Sequence, residues 1–339
     1  MRNTYLAAVD IGGTKITVSI AHYEGVLIKL YQRVKLEGDN TSIPEQVDAL
    51  IERACRRIGI HKKDISAVGI STCSPFKIKN GYKVIVSPNL CGGLAKERGV
   101  IPNDWTEIPL EEVLTGKYPR VKSGNDCVTS VVAERLFGAG KGEDNLVYVT
   151  WSTGIGTGIF VDGHLLKGKN ENAGHGGHIY IAEDGPQCGC GNFGDLEALV
   201  SGSAIARDYG EGATTEDVFS AYRQGDTKAE KIIKKAAYNF ARGMASINAL
   251  MDTQLFIIGG SVFLNNRDIL LPLVEQEFFK SFPALTSGVK FTPSALHTFL
   301  GDIAALSLVM PDEWIEKWEH DRPWENAPPA VVLEDNGNE

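Results

Sequence analysis

Residues 6–20 read LAAVDIGGTKITVSI, and residues 146–161 read LVYVTWSTGIGTGIFV. Each stretch contains an apolar run, a short glycine-rich segment and a second apolar run. Such runs are typical of buried β-strands, and glycines between them predict a tight turn. Because this strand–turn–strand pattern occurs twice, and helical patterns follow each copy, the sequence predicts an α/β protein with two related lobes around one cleft.

Both glycine turns have the composition of a phosphate-binding loop. Glycine permits backbone conformations that point several N–H groups at one anion. In the first turn Thr14 adds a hydroxyl group, and Asp10 is placed to hold a cation-bound water beside a phosphate. Residues 10–15 do not fit the P-loop pattern, and residues 154–158 lead into a strand, whereas a dinucleotide-binding fingerprint opens a helix. The alternative for the first turn is a plain hairpin without a ligand.

A carboxylate stands at the start of a predicted helix. Asn125 and Asp126 follow a short strand, and an apolar helical pattern begins directly after them. The partial positive charge of a helix N-terminus keeps a carboxylate ionised. Two interpretations stay open for this pair. It is either a simple N-cap or a general base that takes a proton from a hydroxyl group attacking a phosphate.

Metal-binding residue types are concentrated in a glycine-rich segment with little periodicity. His178, Cys188 and Cys190 supply three good Zn²⁺ ligands within 13 positions. A structural zinc site needs four ligands. Asp195 is the nearest fourth ligand in the sequence, and His175 is its rival. The alternative is a loop with two reduced thiols and no metal, since Cys-x-Cys is an unusual spacing for a zinc pair.

A further glycine pair, Gly259 and Gly260, follows the apolar residues 255–258. Close approach of a nucleoside base or ribose to the backbone would require such glycines. The alternative is a turn that binds nothing.

The composition weighs against several classes of protein. The chain has 339 residues and a net charge of −9. An acidic chain without basic blocks is not typical of proteins that bind nucleic acids or anionic membranes. No apolar run reaches the roughly 18–20 residues that span a bilayer, and the N-terminus lacks a signal-peptide pattern, so we expect a cytoplasmic protein. At about 100–200 residues per domain, the length predicts about two domains.

Together, and in this order, the motifs resemble the ROK family, named for repressors, open reading frames and kinases. The resemblance runs from about residue 5 to about residue 308 and includes residues 87–90 (SPNL). The family belongs to the actin/hexokinase-like ATPase superfamily. The resemblance implies an α/β fold of two actin-like ATPase (ribonuclease H-like) lobes, each with a mixed sheet flanked by helices, which close on sugar and ATP around a central cleft.

The resemblance also implies boundaries. We expect an N-terminal lobe at residues 1–138 and a C-terminal lobe at residues 139–310. Residues 311–339 would then form a C-terminal tail that packs back on the surface or is mobile.

Each motif acquires an implied role. Asp126 is the expected catalytic base on the sugar hydroxyl group. The expected substrate-binding residues are Asn89, Asn125, Asp126, His175, His178 and Glu197. The expected nucleotide-binding residues are Asp10, Gly12, Gly13, Thr14, Lys15, Thr153, Gly154, Gly259 and Gly260. The expected ligands of a structural Zn²⁺ are His178, Cys188, Cys190 and Asp195, and Mg²⁺ would accompany ATP.

Three positions depart from the family pattern. His175 stands where the family usually has a Glu that accepts hydrogen bonds from hydroxyl groups near the anomeric carbon. A neutral imidazole offers one donor and one acceptor instead. Asp195 replaces the third Cys of the zinc motif, and Ser74-Pro75 replaces a usual Pro-Gly.

The resemblance implies ATP-dependent phosphorylation of a sugar hydroxyl group by in-line transfer. We expect the 6-hydroxyl of an N-acetylhexosamine such as N-acetylmannosamine or N-acetylglucosamine. Glucose, a sugar acid and a non-catalytic sugar sensor stay open as alternatives. A sugar-responsive repressor is not expected, because the phosphate motif begins at Asp10 and leaves no room for a helix-turn-helix before it. The expected partners are the sugar, ATP and a second copy of the chain in a homodimer.

Overall fold

The computed structural model of the protein describes residues 4–94 and 101–333. Residues 1–3 and 95–100 of the expected N-terminal lobe, and residues 334–339 of the expected tail, lie outside the described residues. The described strands are β1 (Tyr5–Ile11), β2 (Lys15–His22), β3 (Gly25–Arg33), β4 (Ile65–Thr72), β5 (Phe76–Lys79), β6 (Tyr82–Ile85), β7 (Val121–Asn125), β8 (Leu146–Trp151), β9 (Ile155–Val161), β10 (His164–Leu165), β11 (Leu255–Gly259), β12 (Lys290–Pro293) and β13 (Val331–Val332). The described α-helices are α1 (Ser42–Arg57), α2 (Leu110–Thr115), α3 (Asp126–Phe137), α4 (Leu196–Val200), α5 (Gly202–Tyr209), α6 (Thr215–Arg223), α7 (Thr227–Met251), α8 (Ser261–Leu264), α9 (Arg267–Phe278), α10 (Pro283–Thr286), α11 (Leu300–Ser307) and α12 (Asp312–Asp321).

The first sheet has the strand order β13-β3-β2-β1-β4-β7. The apolar run at residues 6–9 forms β1 at its centre and is fully buried. β2 is antiparallel to both β1 and β3, whereas β4 is parallel to both β1 and β7. In register, Ile11 lies beside Thr72 and Thr72 beside Asn125. Three parallel strands therefore end at the same edge of this sheet.

The second sheet has the strand order β10-β9-β8-β11-β12. β9 is antiparallel to β8 and β10, and β11 is parallel to β8 and β12. Thr150 at the end of β8 lies beside Gly259 at the end of β11. Apart from β13, the two sheets have the same order and directions, which confirms the predicted pair of related α/β lobes with mixed sheets.

The described residues form two compact units. The first comprises Met1–Phe137, Lys167–Ala173 and Thr298–Glu339, and the second comprises Gly138–Leu166 and Gly174–His297. Each unit has a hydrophobic core of its own. In the second unit, the apolar face of α7 is buried, and Phe240 of this face stacks on Trp151 with ring centroids 4.1 Å apart.

The unit boundaries differ from the expected lobes at the C-terminal side. The sequence placed residues 298–310 in the second lobe, but the structure groups them with the first unit. The physical reason is α11, which packs on β1, β4 and α3. Asp302 of this helix is buried, forms an ion pair with Lys29 and accepts a hydrogen bond from Ser19 Oγ at 2.7 Å.

The described part of the tail packs back on the first unit. The side chains of Trp314, Trp318 and Trp324 are almost completely buried. Trp318 Nε1 donates to the carbonyl oxygen of Tyr23 at 3.0 Å, and β13 pairs in parallel with β3. Of the two expected states of the tail, residues 311–333 adopt the packed one.

The length and hydropathy of the described helices exclude a membrane span among them. None is both long and apolar enough to cross a bilayer.

Candidate active site

The carboxyl ends of β1, β4 and β7 bring together the predicted residues of the first unit. Asp10 precedes the last residue of β1, Asn125 is the last residue of β7, and Asp126 is the first residue of α3. In open α/β sheets, ligands bind outside the carboxyl ends of parallel strands. This edge is therefore the candidate site of the first unit.

The first glycine turn is open to solvent. Gly13, Thr14 and Lys15 are exposed, and the Gly12 N–H donates to the carbonyl oxygen of Lys15 at 2.9 Å. Neither glycine has a positive φ angle, and a Cβ atom on either would have no neighbour closer than 3.8 Å. The fold itself does not need glycine at these two positions. A Cβ atom at either position would make ordinary van der Waals contacts.

Residues 87–90, which carry the expected substrate-binding residue Asn89 and which we call the sugar loop, lie beside this turn. The carbonyl oxygen and Cβ of Asn89 are the atoms nearest to a Cβ built on Gly13, at 3.8 and 4.0 Å. Asn89 is exposed, and its backbone N–H donates to Ser87 Oγ at 3.3 Å. The predicted sugar and phosphate loops of the first unit are therefore neighbours.

Asn125 and Asp126 have different roles. Asn125 Oδ1 accepts from the backbone N–H groups of Cys127 (2.9 Å) and Val128 (3.2 Å), so Asn125 caps α3. Its side-chain amide donates to Ser74 Oγ at 2.8 Å. Asp126 Oδ1 accepts from the Cys127 N–H at 2.9 Å, and the Asp126 side chain is exposed. The N-cap interpretation thus describes Asn125 and leaves the Asp126 carboxylate accessible.

Two carboxyl groups of the first unit have a raised pKa, chiefly because the surrounding protein atoms desolvate them. Burial raises the pKa of Asp10 to about 6, and the negative charges of Asp126 and Asp302 add to this effect. The Asp126 side chain reaches solvent, yet the protein atoms around it exclude enough water to raise its pKa; hydrogen bonds from Cys127 and Asn125 act in the opposite direction. A carboxylate with a raised pKa is a better proton acceptor near neutral pH.

Asp302, whose charge helps to raise the pKa of Asp10, was not predicted from the sequence. Asp302 lies on α11. A Cβ atom on the preceding residue, Gly301, would lie 3.0 Å from Asp10 Oδ2, so the helix passes close to Asp10. The buried ion pair of Asp302 with Lys29 holds this helix against the sheet. No local sequence signal marks it, since Lys29 and Asp302 are far apart in the chain.

The second glycine turn is constrained by a carboxylate. Glu197 Oε2 accepts from the backbone N–H of Ile155 at 2.9 Å. A Cβ atom at Gly154 would lie 2.6 Å from the same oxygen. Thr153 is exposed, and Glu197 Oε1 accepts from Cys188 Sγ at 3.4 Å. Glu197 therefore links the phosphate turn to the cysteine-rich loop, a role that the sequence did not predict.

The four predicted zinc ligands form one cluster. His178, Cys188, Cys190 and Asp195 each offer a ligand atom, and these atoms all lie within 4.8 Å of one another. Asp195 Oδ2 is 3.1 Å from His178 Nδ1 and 3.4 Å from Cys190 Sγ. Tetrahedral Zn²⁺ with bonds of about 2.0–2.3 Å requires ligand atoms roughly 3–4 Å apart. The donor set and spacing therefore fit Zn²⁺.

Asp195 also has a structural reason to be an acid. Its Oδ1 atom caps α4 by accepting from the Ala198 N–H at 2.8 Å, which leaves Oδ2 for the cluster. The hydrogen bond to Asp195 raises the pKa of His178, whereas burial raises the pKa of the Cys188 thiol. The cysteine thiols of the cluster become thiolates when a metal cation binds in place of their protons.

His175 lies outside the metal cluster. Its ring stacks on that of His178 with centroids 6.0 Å apart, and it is not among the clustered ligand atoms. Burial lowers the pKa of His175, and the neighbouring His178 adds to this effect. Of the two rivals for the fourth ligand position, Asp195 has the geometry, and His175 is left as a neutral imidazole.

Packing explains the glycines after β11. A Cβ atom on Gly259 would lie 2.3 Å from the hydroxyl group of Tyr148. Gly260 has a φ angle of +86° and would place a Cβ atom 2.4 Å from the carbonyl oxygen of Trp151. These glycines are required by β8, whether or not a nucleoside binds.

Two adjoining cavities in the second unit lie next to these turns. One has a volume of about 280 Å³ and is lined by Thr153, Ser203 and Ser261 among others. The other has a volume of about 250 Å³ and extends to Asn265. Both are lined by Thr215, Glu216, Ser261 and Val262, so they form one trough. The sequence reasoning missed the α6 residues, whose only local signal is the capping box at the start of that helix.

Comparison with known proteins identifies relatives across most of the chain. A model of the ROK family matches residues 6–284. A glucokinase from Aeropyrum pernix is 31% identical over 80% of this chain and 86% of its own length. An N-acetylmannosamine kinase from Escherichia coli is 32% identical over 76% of this chain and 83% of its own length. A ROK hexokinase from Thermus thermophilus has a similar structure, with a TM-score of 0.75, 29% identity and coverage of 90% of this chain and 97% of that chain.

Proposed function

Because this chain belongs to the ROK family and is an ATP-dependent sugar kinase, we propose that it phosphorylates the 6-hydroxyl group of an N-acetylhexosamine such as N-acetylmannosamine. The hydroxyl oxygen attacks the γ-phosphorus of ATP in line, the bond to the β–γ bridging oxygen breaks, and ADP leaves. Positioning and charge stabilisation supply most of the rate in such transfers.

One observation carries the choice of base. Asp126 is the exposed carboxylate at the strand-end edge of the first unit, and the cap beside it is supplied by Asn125 instead. With a pKa above the usual value for Asp, it accepts the proton of the attacking hydroxyl group more readily. Asn89, on the loop beside the phosphate turn of the same unit, is the further group that we propose for the sugar hydroxyls.

In the second unit, we propose that the glycine turn at Thr153 and the trough bind the nucleotide; in the first unit, we propose the other glycine turn as a phosphate-binding loop. Gly12, Gly13 and Thr14 leave space for a phosphate, and Thr153 lines the trough at the second turn. A trough lined by α5, α6 and α8 has room for ribose and base. Mg²⁺ would neutralise phosphate charge, and the carboxylates of Asp10, Asp126 and Asp302, whose charges interact, suit a cation nearby.

A structural Zn²⁺ fits the cluster of the second unit. His178, Cys188, Cys190 and Asp195 would hold it, and the metal would fix the cysteine-rich loop against α4. Since Cys188 also contacts Glu197, this loop supports the second phosphate turn.

The sugar is tested with a panel of purified substrates. N-acetylmannosamine, N-acetylglucosamine, glucose and a sugar acid are each supplied with ATP and Mg²⁺, and ADP release is measured. We expect the highest kcat/KM with an N-acetylhexosamine. A preference for glucose would replace the proposed substrate and keep the kinase, whereas sugar-independent ADP release alone would contradict the phosphorylation of a sugar.

The base is tested with Asp126→Asn. Sugar affinity, measured by calorimetry, should stay within a few-fold, while kcat falls by about 10²-fold or more, because general-base catalysis is typically worth that much. Asp312→Asn is the matched control, since Asp312 is also the exposed first residue of a helix. Near-normal turnover of the Asp126 variant would reject the assignment.

A further inference from the structure

A short loop joins the first unit from within the chain of the second. Residues 167–173 follow β10 and precede the 3₁₀-helix Gly176–His178, yet they belong to the first unit. The Ala173 N–H donates to the carbonyl oxygen of Lys167 at 3.0 Å, which closes the loop on itself. We call residues 167–173 the docking loop. Its backbone is continuous with His175 and His178.

Asn172 attaches the docking loop to the start of β5. Its Oδ1 atom accepts from the backbone N–H of Phe76 at 2.8 Å, and its Nδ2 atom donates to the carbonyl oxygen of Phe76 at 2.8 Å. A carboxamide is the side chain that offers one donor and one acceptor in this arrangement. Asn172 therefore pairs with Phe76 as a neighbouring strand residue would.

The residue held in this way, Phe76, is two positions from Ser74, which is a hydrogen-bond partner of Asn125, the neighbour of the candidate base. Ser74 Oγ accepts from the Asn125 side-chain amide at 2.8 Å. Asn125 in turn caps α3, whose first residue is Asp126. Hydrogen bonds and three residues of backbone thus connect Asn172 to the N-terminus of α3.

A second attachment lies on the same hairpin. Lys83 of β6 is largely buried, and its Nζ atom is 2.7 Å from Glu171 Oε2 of the docking loop. The same ammonium group donates to the carbonyl oxygen of Ser123 in β7. The docking loop therefore contacts the hairpin that leads to the sugar loop and, through Lys83, the strand that leads to Asn125.

We propose that Asn172 is a positioning residue for the phosphoryl transfer, acting through Phe76, Ser74 and Asn125 on the N-terminus of α3. This inference rests on the proposed function for its kinetic consequence only. Its structural consequence is a fixed α3 cap, which is measurable without turnover. Small displacements of a reacting group cost rate and affinity, because the bound geometry has to be near that of attack.

The test compares Asn172→Ala and Asn172→Asp with the wild type. Both changes remove the donor to the Phe76 carbonyl group. We expect kcat/KM for the sugar to fall by about 10-fold to 10²-fold, while KM for ATP stays within about twofold. Lys79→Met is the matched control, because Lys79 lies on the same hairpin in an exposed ion pair with Glu107.

Hydrogen exchange provides the readout that does not depend on activity. The N–H groups of Cys127 and Val128 are bonded to Asn125 Oδ1, so their protection reports on the cap. We expect faster exchange at both amides in Asn172→Ala and no change in Lys79→Met. Unchanged protection, or an equal loss in all kinetic constants, overturns the proposal. Faster exchange in a protein that phosphorylates none of the sugars overturns the proposed function and leaves only the link from Asn172 to the α3 cap standing.

Discussion

The charge of Asp10 shows how one partly buried carboxylate can lower the stability of a fold. Its carboxylate is half-buried near two other carboxylates, Asp126 and Asp302, and its pKa is about 6. Lys15 and Lys29 compensate this charge only in part. Ionisation of Asp10 therefore lowers the free energy of unfolding above about pH 6.

Asp10→Asn should accordingly stabilise the protein while it weakens nucleotide binding. A pKa raised in the folded state means that the wild type loses stability as the pH rises from about 4 to about 6. At pH 8 we expect the variant to gain about 1–2 kcal/mol in urea unfolding, discounted for the solvent access of the site. At pH 4.5 the gain should shrink to less than half. A gain that is the same at both pH values would contradict this origin.

The glycines of the turns differ in the space that surrounds them in the structure. The sequence assigned ligand contact to Gly12, Gly13, Gly154, Gly259 and Gly260 alike. In the structure, only the first two have room for a Cβ atom, whereas Glu197, Tyr148 and Trp151 occupy the space beside the others. A local motif predicts that a side chain is not tolerated. It does not show which distant atom excludes it.

At the scale of elements, the metal cluster depends on three short pieces of structure. His178 ends a 3₁₀-helix, Cys188 and Cys190 lie in a loop, and Asp195 caps α4. The residue types and spacing predicted this set, because a cluster close in sequence needs little tertiary information. The docking loop and the trough along α6 were not predictable in this way, since their partners come from distant segments.

Zinc content tests the cluster. Purified protein should contain about one zinc per chain by mass spectrometry of metals. Asp195→Asn should retain zinc about 10-fold to 10²-fold less tightly in competition with a chelator, because a ligand has been weakened. Cys73→Ser, which changes a thiol of the first unit, should retain zinc like the wild type. If the metal-free wild type unfolds at the same temperature as the zinc-loaded protein, the result contradicts a structural zinc site.

At the scale of the whole molecule, the two units have separate cores, so we expect each unit to have its own unfolding transition. The tail contributes Trp314, Trp318 and Trp324 to the first unit. Their contacts with Tyr23 and Phe137 attach residues 311–333 to the N-terminal sequence. Two repeated strand–turn–strand patterns predicted the two sheets, but nothing in them predicted that the tail completes the first.

Trp318→Ala should therefore destabilise the first unit selectively. Loss of a fully buried Trp typically costs about 3–5 kcal/mol. Trp318→Phe, which keeps an aromatic ring and loses the hydrogen bond to Tyr23, should cost clearly less. Differential scanning calorimetry should show a lowered transition for the first unit and an unchanged one for the second. An equal shift of both would argue against independent cores.

The packed tail also bears on the order in which the protein matures during synthesis. Val331 and Val332 add a strand beside β3, and Leu333 is buried in the same core as the N-terminal strands. The second unit is complete in sequence at residue 297, before these residues leave the ribosome. Of the two sheets, the one whose strands are translated first is thus finished last, and its edge stays exposed to chaperones or premature pairing until residues 331–333 have been made.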